Sequence, residues 1–386
     1  MSQSRSHRRI LARAVAAAAL TTSSLAVATA GSAAAADEGS DHSSGAVFAM
    51  TNDAAGNHVL AYRRDSRGQL RLDGTYATGG EGTSHIRLSS QNPVVLTKDR
   101  RFLLVANVGS DEISVFRVRG ARLELVEVQA SGGQSPNSIT VDGNLVYVLN
   151  NGDAGVGSIN GFRLDDDGKL SAINGSQRPL SAPGSNPAQV AITPDGDHLV
   201  VTEKATNKID TWPLAPDGRP GAGTFADSAG VTPFGFDFTR NGTFVVTNAE
   251  QGRIGAASAS SYALAPNGSV RTISGSVPDF RSEVCWTVIS KNQKYAYITN
   301  FGDGTISSYT IGSDGSLTLL KSIAATTTLG QLSVRDAGLT RDGRYLYAID
   351  ITSRNVHGWA VGNDGALTPV GAFPGLPGTV AGIATA

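Results

Sequence analysis

Seven polar residues recur along the chain at spacings of 43 to 55 residues: Asn52, Asn107, Asn150, Glu203, Asn248, Asn300 and Asp350. Each closes a short apolar run, as in FLLVAN, LVYVLN and HLVVTE. Oxygen-bearing side chains repeated in this way could do two kinds of chemistry. One is proton transfer: Glu203 is the only glutamate of the set, and Lys204 beside it could orient an anionic group. The other is a ring of oxygen ligands for a hard cation such as calcium. A turn former repeated at every strand end accounts for all seven without a metal. No metal and no cofactor are therefore expected, and Asn107, Asn150, Asn248 and Asn300 remain as polar groups that could face a ligand.

Other candidates lie outside this series. His85 and Arg87 sit in a long link and could supply an acid–base group and an anion-binding cation. Arg335 and Asp336 open an apolar run and could present charge to a ligand, as could Glu250 in an insertion that also holds Arg253. Cys285, the chain's one cysteine, lies in VCWTVI, which reads as a buried, inert thiol, with Trp286 as packing. There is no Gly-x-Ser-x-Gly elbow, His-Glu-x-x-His pair, phosphate loop or cysteine pair, which excludes serine-esterase, zinc-hydrolase and disulfide chemistry of the usual kinds.

The elements that must position these groups are short strands. Within residues 91–133, four apolar runs at 93–97, 102–107, 113–118 and 123–128 are separated by turn residues. The pattern repeats seven times. The third run of each unit ends in an aromatic, Tyr62, Phe116, Phe162, Trp212, Tyr262, Tyr309 or Trp359, and a glycine follows within six residues. Asp-Gly and Asn-Gly at that glycine are strong hairpin signals. Four strands per unit of about 40–50 residues mark a propeller blade, so the expected fold is all-β, a seven-bladed propeller of four-stranded antiparallel blades.

The first unit lacks an inner strand before Val47, and a matching run, TVAGIA, stands at residues 379–384. The C-terminal strand should then pair into the N-terminal blade and close the ring, leaving no open edge. Long links at 77–90, 150–158, 175–186, 248–258 and 324–333 all belong to the two link classes that share one side of a meander blade. That side is the expected binding face.

Residues 1–36 read as a signal peptide, with Arg5, Arg8, Arg9 and Arg13 before an Ala/Leu/Val-rich run and three alanines before Asp37. Arg8-Arg9 fits a twin-arginine signal. Residues 37–44 read as a mobile lead-in, and 45–386 as the propeller. Removing the leader takes four arginines and no acid, which moves the net charge from −1 to −5. No basic stripe remains, so nucleic acid is not an expected partner. The expectation is a secreted monomer, extracellular or periplasmic, with no membrane attachment after cleavage.

The units VVTEKATNKIDTW, TPFGFDF, VCWTVIS with YAYITN, and DGSLTLL resemble the seven-bladed propeller lactonase family, which includes 6-phosphogluconolactonases and carboxymuconate cycloisomerases. The resemblance implies the propeller fold and acid–base chemistry on a small lactone or its hydroxy acid, by hydrolysis or cycloisomerisation. It also implies Gly-Pro-Arg-His on one inner strand and Asn-Glu after the following strand. Here these read Asn186-Pro187-Ala188-Gln189 and Glu203-Lys204, so the Arg and His are replaced and the carboxylate falls one residue early. Glu203 is then the expected acid–base group for a lactone or carbohydrate-derived ligand. The alternative is a non-catalytic extracellular propeller that binds a sugar, peptide or protein.

Overall fold

Strands that will be covered on both faces need apolar side chains throughout, and the second strand of each unit has them. Phe102–Asn107, His198–Glu203 and Tyr345–Asp350 are buried at every position, whereas outer strands such as Val270–Pro278 are largely in contact with solvent. In the computed structural model, which describes residues 45–85, 88–153 and 155–386, these strands form seven separate antiparallel sheets. The expected leader at 1–36 and lead-in at 37–44 lie outside the described residues. Among the described residues no helix is long and apolar enough to cross a membrane.

Blade one is assembled from both ends of the chain. Ala381–Thr385 is its inner strand and pairs with Gly45–Met50 (Val47 opposite Thr385, Ala49 opposite Ile383), followed by His58–Arg64 and Leu70–Ala77. Blades two to seven open with Val94–Leu96, Pro136–Asp142, Pro187–Ile192, Pro233–Phe238, Val284–Ile289 and Val334–Leu339. In blade three the outer edge is divided between Leu170–Ala172 and Arg178–Pro183, both paired with Val156–Leu164.

The core lies between blades rather than within them. Phe102 and Leu104 of blade two pack with Val146 and Phe162 of blade three, and the other neighbouring pairs repeat this layering. The first and last blades meet through Val47, Tyr62, Tyr347 and Ile383. The seven aromatics that end the third strands are all buried in these layers. Two of them also bond across the seam: Tyr62 Oη donates to the Pro374 carbonyl (3.2 Å) and Tyr309 Oη to the Val277 carbonyl (3.0 Å).

Inner strands have one edge without a ladder partner, and the neighbouring blade supplies one. Ile192 N donates to Thr140 Oγ1 (3.1 Å), Phe236 N to Gln189 Oε1 (2.6 Å) and Ile289 N to Asp237 Oδ2 (2.7 Å). Asp336 belongs to this set, accepting from the amides of Ala337 (2.9 Å) and Ile383 (3.4 Å). It is therefore a latch between blades seven and one rather than a charge at the channel mouth. Burial pushes its carboxyl up to about 7, with the two amides working the other way.

The closing strand buries Val380, Ala381, Ile383 and Ala384. Losing them, at roughly 1.5–3 kcal/mol for each large side chain, removes about 5 kcal/mol and exposes two sheet edges. A chain ending at Pro374 is expected to lose most of its stability, read as a fall in melting temperature or a failure to accumulate as soluble monomer. An unchanged melting temperature would contradict this closure.

Candidate functional site

The segment that enters blade two does not run straight into its strand. Residues 89–92 cross the central channel first. The Gln91 amide donates to the Ala188 carbonyl of blade four (3.0 Å), and its side chain pairs with both backbone groups of Thr287 in blade six (2.9 and 3.1 Å). Trp286 Nε1 donates to the Ser90 carbonyl (2.8 Å), and Ile139 N of blade three to the Asn92 carbonyl (2.9 Å). Gly235 makes room for this plug, because a Cβ there would stand 2.0 Å from Gln91 Oε1. The diversion leaves an inner strand of only Val94–Leu96, shorter than the run 93–97 in the sequence.

Above the plug, on the side of the long links, opens a cavity of about 400 Å3. Leu88, Phe234, Cys285, Trp286 and Phe301 give it apolar walls, and Lys204, Arg335 and Glu283 bring charge to them. The local sequence explains why these residues point there. In blades three to seven the strand-end polar residue pairs with the first residue of the inner strand: Asn150 with Pro136, Glu203 with Pro187, Asn248 with Pro233, Asn300 with Val284 and Asp350 with Val334. The register shifts immediately afterwards. Such a bulge re-aims the extra side chain, and the residues in the shifted stretch include Asn137, Ala188, Phe234, Cys285 and Arg335. The turn before it is also fixed: Asn186, Thr232 and Glu283 hold φ of 52°, 58° and 49°, the left-handed region that costs L-residues about 1 kcal/mol or more. All three line the cavity.

On the cavity wall, Lys204 stands in markedly altered surroundings. It is 6% exposed, and its Nζ donates to the carbonyls of Ser89 and Pro187 and lies 4.8 Å from the centre of the Phe234 ring. Among the described residues no carboxylate stands within ion-pairing distance of it. Burial lowers its pKa to about 7, opposed by the nearby Cys285 thiol. Lys204 also borders an adjoining cavity of about 320 Å3 that His85 lines. Arg335 is 2% exposed and lies over the Phe301 ring at 5.7 Å.

Of the residues singled out in the sequence, Lys204 and Arg335 meet at one cavity and His85 at its neighbour, while Arg87 lies outside the described residues. The others lie in the seams. Glu203 is fully buried and absent from the cavity wall; its carboxylate accepts from the amide and hydroxyl of Ser181 and from the hydroxyl of Thr206. Asn107 donates to Ser114 Oγ (2.7 Å), Asn150 to Asn160 Oδ1 (3.1 Å), Asn248 to Ser260 Oγ (2.9 Å) and Asn300 to Ser307 Oγ (2.8 Å). These amides hold strand ends to third strands and form no ring of ligands. Among the described residues no group of His, Cys, Asp and Glu is placed to hold a metal ion. Glu250 is tied to Arg253 at 2.7 Å inside its own turn, and its neighbours Gln251 and Gly252 reach the cavity instead.

The cavity-facing positions that sequence reasoning passed over are Phe234, Glu283, Cys285, Trp286 and Phe301. Cys285, read as an inert core thiol, is indeed buried, but it lies on the cavity wall. A signal exists for one of them: Phe301, like Lys204 and Ala249, directly follows a strand-end residue.

The family described as lactonase, 7-bladed beta-propeller, matches residues 58–177 and 247–381. A 6-phosphogluconolactonase of Serratia proteamaculans is 28% identical over 291 residues, which cover 71% of this chain and 82% of that protein. Two solved structures share the fold. The periplasmic gluconolactonase of Pseudomonas aeruginosa superposes with a TM-score of 0.66 at 17% identity, covering 88% of this chain and 99% of that one. A protein from Lactobacillus plantarum gives 0.69 at 16% identity, with 88% and 98% covered. The segment between the two matched stretches contains Asn186–Gln189 and Glu203–Lys204.

Glu203 shares its seam with Asp210, whose carboxyl burial and the neighbouring Glu203 together raise to about 10. Asp210 therefore keeps its proton in the folded protein and loses it near pH 4 when unfolded. The folded state binds the extra proton, so its contribution is complete below about pH 4 and falls away as pH rises towards 10. Asp210→Asn is expected to match the parent at pH 4 and to gain in relative melting temperature up to pH 9. Glu203→Ala, which orphans the Ser181 amide, should cost about 2–3 kcal/mol. Denaturant titrations across pH check both, and a pH-independent Asp210→Asn difference would refute the proton assignment.

Proposed function

Because the chain belongs to the seven-bladed β-propeller lactonase family, we propose that it hydrolyses a small lactone in the mouth cavity, with Lys204 as the proton-transfer group. The observation that carries this reading is a buried lysine, without a carboxylate partner among the described residues, on the wall of a cavity that also holds Arg335. An amine whose pKa lies near 7 can take a proton at neutral pH, which an ordinary lysine cannot.

In this scheme the lactone carbonyl oxygen faces the Arg335 guanidinium, and the ring lies against Phe234 and Trp286. Neutral Lys204 takes a proton from water as its oxygen bonds to the carbonyl carbon. The carbonyl oxygen gains negative charge, which Arg335 offsets in surroundings of low dielectric. The tetrahedral centre then collapses, the ring C–O bond breaks, and the Lys204 ammonium returns its proton to the leaving alkoxide. Lactone and water become a hydroxy acid, and the amine is regenerated. Run in reverse, the same steps close a ring. Glu203 is a positioning residue here: its buried bonds fix the strand end from which Lys204 projects. His85, on the adjoining cavity, is the second candidate donor, and Arg87 is placed beside it by sequence alone.

Several features support export: the arginine-led apolar leader, the net negative charge of the remainder, and a periplasmic gluconolactonase among the proteins that share the fold.

Purified protein is expected to open one or more small lactones, with kcat/KM rising through about pH 7 as Lys204 loses its proton. Lys204→Met should lower kcat/KM by roughly 10²–10⁴ and abolish that limb. Glu203→Gln should keep the limb. Should the parent protein be inactive on every lactone tried, or Lys204→Met retain full activity, the enzymatic reading fails; binding of an extracellular sugar, peptide or protein at this face then takes its place.

A further inference from the structure

We propose that Lys204 is also an imine-forming site, whose amine condenses with the carbonyl carbon of a small 2-oxo carboxylate held in the mouth cavity. This activity is separate from lactone opening and needs no lactone.

The argument starts from what surrounds Nζ. A lysine that serves only as a structural cation is normally neutralised by a carboxylate, because an isolated buried charge is costly. Lys204 has none among the described residues. Its hydrogen-bond partners are the two carbonyls of Ser89 and Pro187, which match in number the two N–H groups of a neutral amine. The face of Phe234 covers it on another side. Desolvation in an apolar pocket is one of the ways in which lysine nucleophiles are made reactive towards carbonyl compounds. The ionisable groups that meet it at this cavity are the Glu283 carboxyl and Cys285 thiol, from the turn before and the start of the inner strand of blade six, and the Arg335 guanidinium, from the start of that of blade seven.

The rest of the cavity selects the class of carbonyl compound. Arg335 is always charged and presents a planar fork that suits a carboxylate. Phe234, Trp286 and Phe301 form one apolar cluster with Cys285, suited to the flat face of a conjugated 2-oxo acid. About 400 Å3 accommodates a molecule of a few carbons with room to spare.

The chemistry balances without a further reagent. The Nζ lone pair attacks C2 of the oxo acid, and the carbonyl oxygen takes up the proton that nitrogen releases. Glu283, on the cavity wall, then carries the remaining proton of nitrogen to the carbinolamine hydroxyl, the C–O bond breaks, and the hydroxyl leaves as water. The product is an imine between Nζ and C2, formed with loss of one water and no change of oxidation state.

The test uses the full chain with pyruvate and cyanoborohydride at pH 7, followed by intact mass and peptide mapping. The expected result is one reduced pyruvate per chain, on Lys204. Its neutral fraction at pH 7 exceeds that of an unperturbed lysine by roughly 10³, so selectivity on the order of 10² or more should be read. Yield should rise between pH 6 and pH 8. Arg335→Gln should reduce trapping of pyruvate about tenfold while leaving trapping of propanal, which carries no carboxylate, unchanged. Labelling spread over the surface lysines, no label on Lys204, or equal labelling of a folded Lys204→Met protein would overturn the proposal. Equal effects of Arg335→Gln on pyruvate and propanal would overturn its carboxylate assignment. If Lys204→Met does not fold, the peptide map of the parent protein decides alone.

Discussion

A sheet of four strands has two apolar faces and no means of covering both, and the whole molecule follows from that constraint. Each blade must lie between two others, so the only arrangement without an exposed face is a closed ring. Closure in turn requires that the chain ends meet in one blade, which Ala381–Thr385 and Gly45–Met50 accomplish. It also places seven inner strands around an axis with one edge unpaired. The blade-to-blade latches of Thr140, Gln189, Asp237 and Asp336 answer those edges, which is why two carboxylates stand in the low-dielectric centre with no ion pair among the described residues. Their bonds are to backbone amides, so the amides that need acceptors and the acids that need donors satisfy one another.

The same logic separates Glu203 from Lys204, although they are adjacent. Along a strand successive side chains take opposite directions, and the strand end at 203 faces the seam while 204 has passed into the loop and faces the mouth. The seam position can only hold a group that its neighbours satisfy, and Ser181 and Thr206 do so for Glu203. The mouth position makes no such demand. There a lysine gives up part of its basicity in return for an apolar surround, a cost that a purely structural residue has no reason to bear.

The repeat itself was legible in the sequence because its signals are local. Strand-end polar residues, third-strand aromatics and the turn glycine that follows them recur in every unit, and each depends on neighbours within a few residues. The missing inner strand before Val47 and the surplus run at the C-terminus gave the closure as well. The site was only half legible. Lys204 and Arg335 stood out by type, but the direction of a side chain at an inner-strand start is set by a bulge, and a one-residue shift reverses it. Counting along the chain therefore favoured Glu203 and the asparagines, which are regular, over Phe234, Cys285 and Phe301, which are not. The plug at 89–92 was illegible for another reason. Its bonds reach Ala188, Trp286 and Thr287, about a hundred and two hundred residues away, and nothing in the local sequence announces them.

The bulged inner-strand starts of five blades face one axis, and this gives the fold a freedom that a single loop lacks. A group lost from one blade can be supplied by another without changing where it acts. Resemblance to the family places an arginine at the position of Ala188, at the start of the inner strand of blade four. Here that position is apolar, and Arg335 occupies the corresponding shifted stretch of blade seven, on the wall of the same mouth. The histidine position is filled by Gln189, which the channel uses to latch blade five. In the proposed scheme the proton-transfer group is then not another imidazole on the same strand but an amine one residue past the next strand's end. The geometry of the ring makes such exchange economical in sequence, since a single substitution at one of the starts that line the mouth, such as Phe234, Cys285 or Arg335, changes the chemistry of the shared cavity.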